Sequence, residues 1–318
     1  LFATAVPIKL LLDIDYPYAI LIIVFVTLIY TYTGGLKGVI WVDAMQMFVY
    51  LGGAIISSLV IWYLIPGDFF AKLGTEATLG KLDFLNPGFN LDFRTFFNTP
   101  YTLLAGLTGG AFLSMASHGT DQLVVQRLLA TGELKSAQKA VIASGLIIVV
   151  QFAIFLILGL LLHIYFDGRV FNKADEVFPF FIINHLPSGL KGVLVAGLMA
   201  AALSTLAGSV SSLASSSFYD VYSILGKKKL TEERQLLISK RLTIFWAVVL
   251  AVSAFFFLEI KGAAVEVALS IASFTSGGLL GTFLLGIINK KADQRDAITG
   301  FLTSIAVMIG VISFKWMA

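Results

Sequence analysis

Eight segments of this chain, each eighteen residues or longer, are apolar almost throughout: 16–33, 36–65, 101–130, 137–166, 193–225, 236–258, 263–288 and 297–317. A helical run of that length matches the hydrocarbon thickness of a bilayer. Inside a bilayer the backbone must satisfy its own polar groups, so each run is expected to be a helix. Residues 1–12 are apolar too, but too short to span, and read as the end of a helix. The expectation is an all-α, multi-pass protein of the cell membrane, with about eight crossings and one partial crossing. A chain that is 58% hydrophobic and 13% charged offers no route to a soluble globular domain. No basic-then-apolar leader precedes Leu1, so the chain reads as the continuation of something larger.

Topology follows from the breaks. Thr33-Gly34-Gly35 reads as a tight turn, and 66–99 as a long mixed loop, partly structured on the surface. Placing the Gly34-Gly35 turn in the cytoplasm gives that side 13 of the 22 Lys and Arg residues, with Lys227–Lys229 as the strongest cluster. The net charge of +3 is spread over loops and points to no nucleic-acid partner. There is no cysteine, and the three histidines show no metal spacing of the His-Glu-x-x-His kind. No Gly-rich phosphate loop follows a strand, so no enzyme constellation is present.

Polar residues inside the crossings carry the chemistry. The stretch 194–222, LVAGLMAAALSTLAGSVSSLASSSFYDVY, opens as a membrane helix and then fills with hydroxyls. Within it, the spacing Ala201-x-x-Ser204-Thr205 places both hydroxyls on one helical face, leaning back toward the Ala201 carbonyl. Three neutral oxygens in an apolar setting suit a small hard cation; taken alone, hydroxyls bonded back to their own helix account for the same spacing. Asp43 falls one to two turns into a crossing. It reads either as a cation ligand or proton-sensitive group, or as an interfacial carboxylate paired with Lys37. Gly109, Gly110 and Gly119, interleaved with Ser114, Ser117 and His118, read as a locally unwound helix lining a cavity. The alternative for His118 is a packed, satisfied histidine, and for Asp121 a buried structural acid or a partner of Arg127. Gly277, Gly278 and Gly281 suggest close helix packing or a gate.

Taken together and in order, these features resemble the sodium:solute symporter family. The resemblance rests on TGGLKGVIWVDAMQ (33–46), DQLVVQR (121–127), AALSTLAGSVSS (201–212) running on to FYDVY (218–222), and the later Gly-Gly-Leu-Leu-Gly block. It covers essentially all 318 residues. It implies a LeuT-like fold of two inverted five-helix repeats. On that template the chain is one transmembrane transporter domain, truncated at its N-terminal side. It runs from late core helix three through core helix ten, plus one peripheral helix.

The resemblance also implies roles. Ala201 (carbonyl), Ser204 and Thr205 match the core-helix-eight ligands of the main Na⁺ site; the remaining ligands of that site, on core helix one, precede Leu1. Asp43 matches the core-helix-five carboxylate that, with the same hydroxyls, forms a second Na⁺ site in some members. Ser114, Ser117 and His118 occupy the solute-facing part of core helix six. The implied function is sodium-coupled import of a small organic solute or anion by alternating access, with Na⁺ as coupling ion and no enzymatic activity. A sensory membrane module of a signalling protein is the alternative. Sugar-carrying members place an aromatic gate and an Asn where Ser117 and Ser114 stand. They place a Lys and a Gln where Ile148 and Ala272 stand. Galactose-type recognition is therefore not expected, and the hydroxyls and histidine favour an anionic or carboxylate-bearing solute.

Overall fold

A computed structural model describes residues 2–33, 36–78, 80–83, 85–88, 99, 102–222, 231–258 and 264–313. The Gly34-Gly35 turn and the Lys227–Lys229 cluster lie outside these residues, as do the side chains of Lys37 and Asp43. Among the described residues every regular element is helical. The chain divides into two compact units, 1–69 with 147–264, and 70–146 with 265–318.

The first unit is built around one helix. Its elements are α1 (Phe2–Leu12), α2 (Tyr16–Thr33), α3 (Leu36–Leu64), the later part of α7 (Leu134–Phe166), α8 (Val177–His185), α9 (Ser188–Ser216) and α10 (Glu232–Phe256). Helix α9 packs against α2, α3 and α10. Ile20, Ile23 and Val24 of α2 meet Leu206 and Val210 of α9 and Ala247, Ala251 and Ala254 of α10. The alanines fall three and four residues apart, on one face, so α10 comes close without bulk between the backbones. Several hydroxyls on these helices are satisfied within their own ladder, while the buried hydroxyls of Thr27 and Ser57 have no hydrogen-bond partner among the described residues. Thr31, Ser58, Ser209 and Ser253 each donate to the carbonyl four residues back, at 2.7–2.9 Å. That is how a Ser- or Thr-bearing helix remains compatible with an apolar surround.

The partial segment 1–12 is helical, as expected, but does not continue straight into α2: the two are bent by 114°. Asp13, at φ 52°, makes the corner, and the Asp15 carbonyl accepts from Tyr18 N and Ala19 N to start α2. A polar clasp formed by 173–176 gathers nearby helix ends. Lys173 Nζ donates to the Leu258 carbonyl just past α10 (2.7 Å), the Tyr16 hydroxyl donates to Glu176 (2.9 Å), and Asp175 accepts from Ala264 N (3.0 Å). A cation at a helix C-terminus and a carboxylate at an N-terminus both complement the helix dipole.

The second unit holds α4 (Phe69–Thr78), α5 (Leu103–Thr120), α6 (Gln122–Leu129), the start of α7, α11 (Ala264–Ile288) and α12 (Gln294–Ser313). Thr102 caps α5 by accepting from Ala105 N. Helix α11 is unbroken through Gly277, Gly278 and Gly281. A Cβ on Gly278 would stand 3.1 Å from the Phe301 ring of α12, so close packing is the role that glycine serves.

Among the described residues, five helices are long and apolar enough to cross a membrane by themselves, and up to six if the bent α1–α2 pair counts as one span. Helix α5 is shorter and diluted by Gly, Ser, Thr and His, and α12 opens on Arg295 and Asp296.

Candidate functional site

The cation candidates sit in the middle of α9, whose ladder is unbroken from Ser188 to Ser216. Ser204 is buried, with 2% of its surface exposed, while Thr205 is exposed and Ala201 half-buried. The Thr205 carbonyl accepts the Ser209 hydroxyl at 2.9 Å. The Ala201 carbonyl lies inside the ladder, and a carbonyl oxygen has a second lone pair to offer. The helix therefore presents three oxygens without unwinding.

Helix α3 crosses α9 through two glycine notches. A Cβ on Gly53 would overlap the Leu194 side chain, and a Cβ on Gly197 would overlap Val49 Cγ1. As one sequence number rises the other falls, so the two helices run antiparallel here. Six residues back from Val49 is Asp43, and seven on from Gly197 is Ser204. At a rise of about 1.5 Å per residue these offsets are about 9 and about 10.5 Å. Helix register thus sets the Asp43 position level with Ser204.

Three residues from Asp43, on the same helix, Gln46 is 7% exposed, and its amide nitrogen has no hydrogen-bond partner among the described residues. It lines a cavity of about 620 Å³ with Val49 of α3 and Ala196, Gly197 and Ala200 of α9. Sequence reasoning passed over Gln46; the available signal was an amide one turn from a carboxylate in an otherwise apolar run.

The solute candidates belong to the second unit. The expected unwinding around Gly109-Gly110 and Gly119 does not occur, because α5 is helical through all three. A glycine in a helix interior costs only about 1 kcal/mol relative to Ala. The polar side chains here reinforce the ladder instead of opening it. Ser117 Oγ donates to the Ser114 carbonyl (3.1 Å), His118 Nδ1 lies 2.9 Å from that same carbonyl, and Thr120 Oγ1 donates to the Ala116 carbonyl (2.7 Å). The break falls at Asp121, whose Oδ1 accepts from Leu123 N at 2.8 Å and caps α6. Asp121 is exposed, so of its two alternatives the buried structural acid does not hold. A carbonyl only accepts, so the proton of a neutral His118 sits on Nδ1 and Nε2 is left as an acceptor; the protonated ring would donate from Nε2.

A family model described as "Sodium:solute symporter family" matches residues 1–304. The chain belongs to the sodium:solute symporter family. Among its relatives, the sodium/sialic acid symporter SiaT of Proteus mirabilis (strain HI4320) is 25% identical over 315 residues, covering 97% of this chain and 62% of the relative. Sodium-coupled monocarboxylate transporter 2 of Mus musculus is 29% identical over 296 residues, covering 89% and 45% respectively. A solved structure, described as the substrate-bound outward-open state of a Na⁺-coupled sialic acid symporter that reveals a novel Na⁺ site, aligns with a TM-score of 0.78. It is 25% identical and covers 96% of this chain and 63% of its own. The chain thus spans less than two thirds of the relatives it matches. The cation candidates, the Asp43 position and the hydroxyls of α9, fall within one unit, while Ser114, Ser117 and His118 belong to the other.

At the C-terminal end of α8, His185 stacks on Phe181 (5.5 Å between rings), and its Nδ1 lies 3.1 Å from the Tyr165 hydroxyl. Burial, and then the Arg169 charge, hold its pKa below the ordinary histidine value.

Proposed function

We propose that the protein is a sodium-coupled secondary transporter that imports a small, carboxylate-bearing organic solute by alternating access. The observation that carries the reading is the oxygen set on α9, with Ser204 buried and the Asp43 position level with it across the α3–α9 crossing. Ala201, Ser204 and Thr205 bind the coupling Na⁺, Asp43 contributes to a second Na⁺ site, and Ser114, Ser117 and His118 face the solute. Family membership supports sodium, and the sialic acid and monocarboxylate relatives support a carboxylate. We further place the chain in the cell membrane as a single multi-pass transporter domain, with about eight crossings and one partial one. Its arrangement is that of two inverted five-helix repeats.

The energetics suffice for accumulation. A charge moved through 100 mV gains about 2.3 kcal/mol. With RT at about 0.59 kcal/mol, each sodium then supports a roughly fifty-fold solute gradient, and a second sodium multiplies it by a similar factor. Coupling requires that sodium and solute favour the same conformation, so each must raise the affinity for the other.

The test is uptake of radiolabelled sialic acid and lactate by the complete protein in proteoliposomes under an inward sodium gradient. Uptake that collapses when potassium replaces sodium is expected. Uptake indifferent to the cation overturns the reading.

A further inference from the structure

The C-terminal end of α7 carries a pocket that the cation and solute candidates leave unused. The chain turns back sharply there. Asp167 N donates to the His163 carbonyl at 3.1 Å and Arg169 N to the Phe166 carbonyl at 3.0 Å. The reversal lays the Arg169 guanidinium on aromatic rings, 4.2 Å from the Phe180 centroid and 5.1 Å from that of Phe171. Ring faces hold a guanidinium in place and leave its fork of N–H donors for an anion. No carboxylate pairs with Arg169 among the described residues. The same side chain borders a cavity of about 470 Å³ between the end of α7 and the start of α8. Along α7 the wall is Phe155, Gly159, Leu162 and Phe166, spaced by four, three and four residues and so on one face. From Phe155 to Phe166 that wall runs about 16 Å. This is about half of the roughly 30 Å of hydrocarbon in a bilayer, the depth of one leaflet.

We propose that this pocket binds an anionic phospholipid, with one acyl chain along α7 and the headgroup phosphate on Arg169. Helix α7 is long and apolar enough to cross a membrane, and Arg169 stands three residues past its last turn, at the level of headgroups. A phosphate offers paired oxygens to the guanidinium fork, which a bare apolar groove would not select. The leaflet-deep wall calls for a chain as well as a charge. The loop that carries Arg169 runs on into the 173–176 clasp, so a lipid seated here bears on the ends of α2 and α10.

The experiment uses the complete protein in detergent micelles and phosphatidylglycerol carrying a photoreactive group on one acyl chain. The expected result is a crosslink within residues 155–178. Unlabelled phosphatidylglycerol should displace it at about a tenfold lower concentration than phosphatidylcholine, the effect of one hydrogen-bonded charge pair. Arg169→Gln removes the charge and should erase that preference. Gly159→Leu fills the cavity from a position where a Cβ meets nothing within 4 Å, and should remove most of the crosslink while Arg169 stays in place. No crosslink within 155–178 in the wild type overturns the inference, because another part of the complete chain or a second copy then covers the pocket. Equal displacement by the two lipids overturns it, as does a preference that survives Arg169→Gln or a crosslink undiminished in Gly159→Leu. Palmitate or inorganic phosphate displacing the label as well as phosphatidylglycerol does also overturns it and assigns the pocket to a free anion. Each of these outcomes leaves the transport reading standing.

Discussion

Removing either hydroxyl of the Ser204–Thr205 pair is expected to weaken sodium activation of uptake, and the size of the effect follows from their surroundings. Ser204 is buried on the helix that packs against α2, α3 and α10, so an oxygen lost there is not replaced by bulk water. A hydrogen-bond-strength interaction with a charged group contributes about 1.5–3 kcal/mol. Ser204→Ala should therefore raise the sodium concentration for half-maximal uptake about tenfold to a hundredfold. Thr205 is exposed in this structure, and its effect is expected at the lower end of that range. Thr205→Val keeps the shape and loses the oxygen; Thr205→Ser keeps the oxygen and loses a methyl. The first should behave like Thr205→Ala and the second like wild type. Both side chains serve one ion, so the double variant should cost less than the sum of the singles. The assay is initial uptake in proteoliposomes against external sodium, with solute affinity measured at saturating sodium. A shift below twofold in both Ser204→Ala and Thr205→Val would refute the reasoning and leave the hydroxyls as groups bonded back to their own helix.

Asp43→Asn is expected to change the number of charges moved per solute, read as current against tracer flux; an unchanged ratio with unchanged sodium activation reduces Asp43 to a structural residue. Gly197→Ala forces a methyl into Val49 and should destabilise the protein by about 1–3 kcal/mol, seen as a lower Tm; adding Val49→Ala should restore most of the loss, and no rescue would mean that the notch is not the cause. His185 has a lowered pKa in the folded protein, so on acidification the unfolded chain takes up the proton first. Its contribution is complete above about pH 6.5, the unperturbed histidine value, and is lost as pH falls below it. Wild type should therefore lose more Tm between pH 7.5 and 5.5 than His185→Gln, and equal losses would count against the assignment.

Helix positions were largely legible in the sequence, because long apolar runs have one stable form in lipid. The segment expected at 16–33 is α2 to the residue, and 263–288 differs from α11 by one. The interruption at 101–130 was also legible, but assigned to the wrong residues. In the sequence the glycines look like the weak point, yet an uninterrupted backbone ladder carries them. The real stop is Asp121, whose side chain competes for a backbone N–H as N-cap residues do. The 114° bend between α1 and α2 and the π-helical turn that extends α9 over Ser217–Tyr222 left no comparable trace. The second is supported from another helix, since Trp246 Nε1 donates to Ser217 Oγ at 2.8 Å, and a tertiary hydrogen bond has no local pattern. For the ion candidates, spacing indicated which hydroxyls share a face, but only the α3–α9 crossing sets Asp43 at their level. Gln46 stayed hidden because an amide becomes conspicuous only once its burial and lack of a partner are known.

The two notches between α3 and α9 act as a dovetail. Val49 is a peg on one member and Leu194 a peg on the other, and each seats in a glycine socket opposite. Sliding by a single residue would drive both pegs against side chains at once, so shear along this seam is blocked. Rotation about either axis unseats them in the same way. On the transport reading proposed above, a seam that resists sliding in this way favours the pair moving together as one bar, with the spacing between the Asp43 and Ser204 levels kept, and ion release is then expected from a third element moving away from the bar.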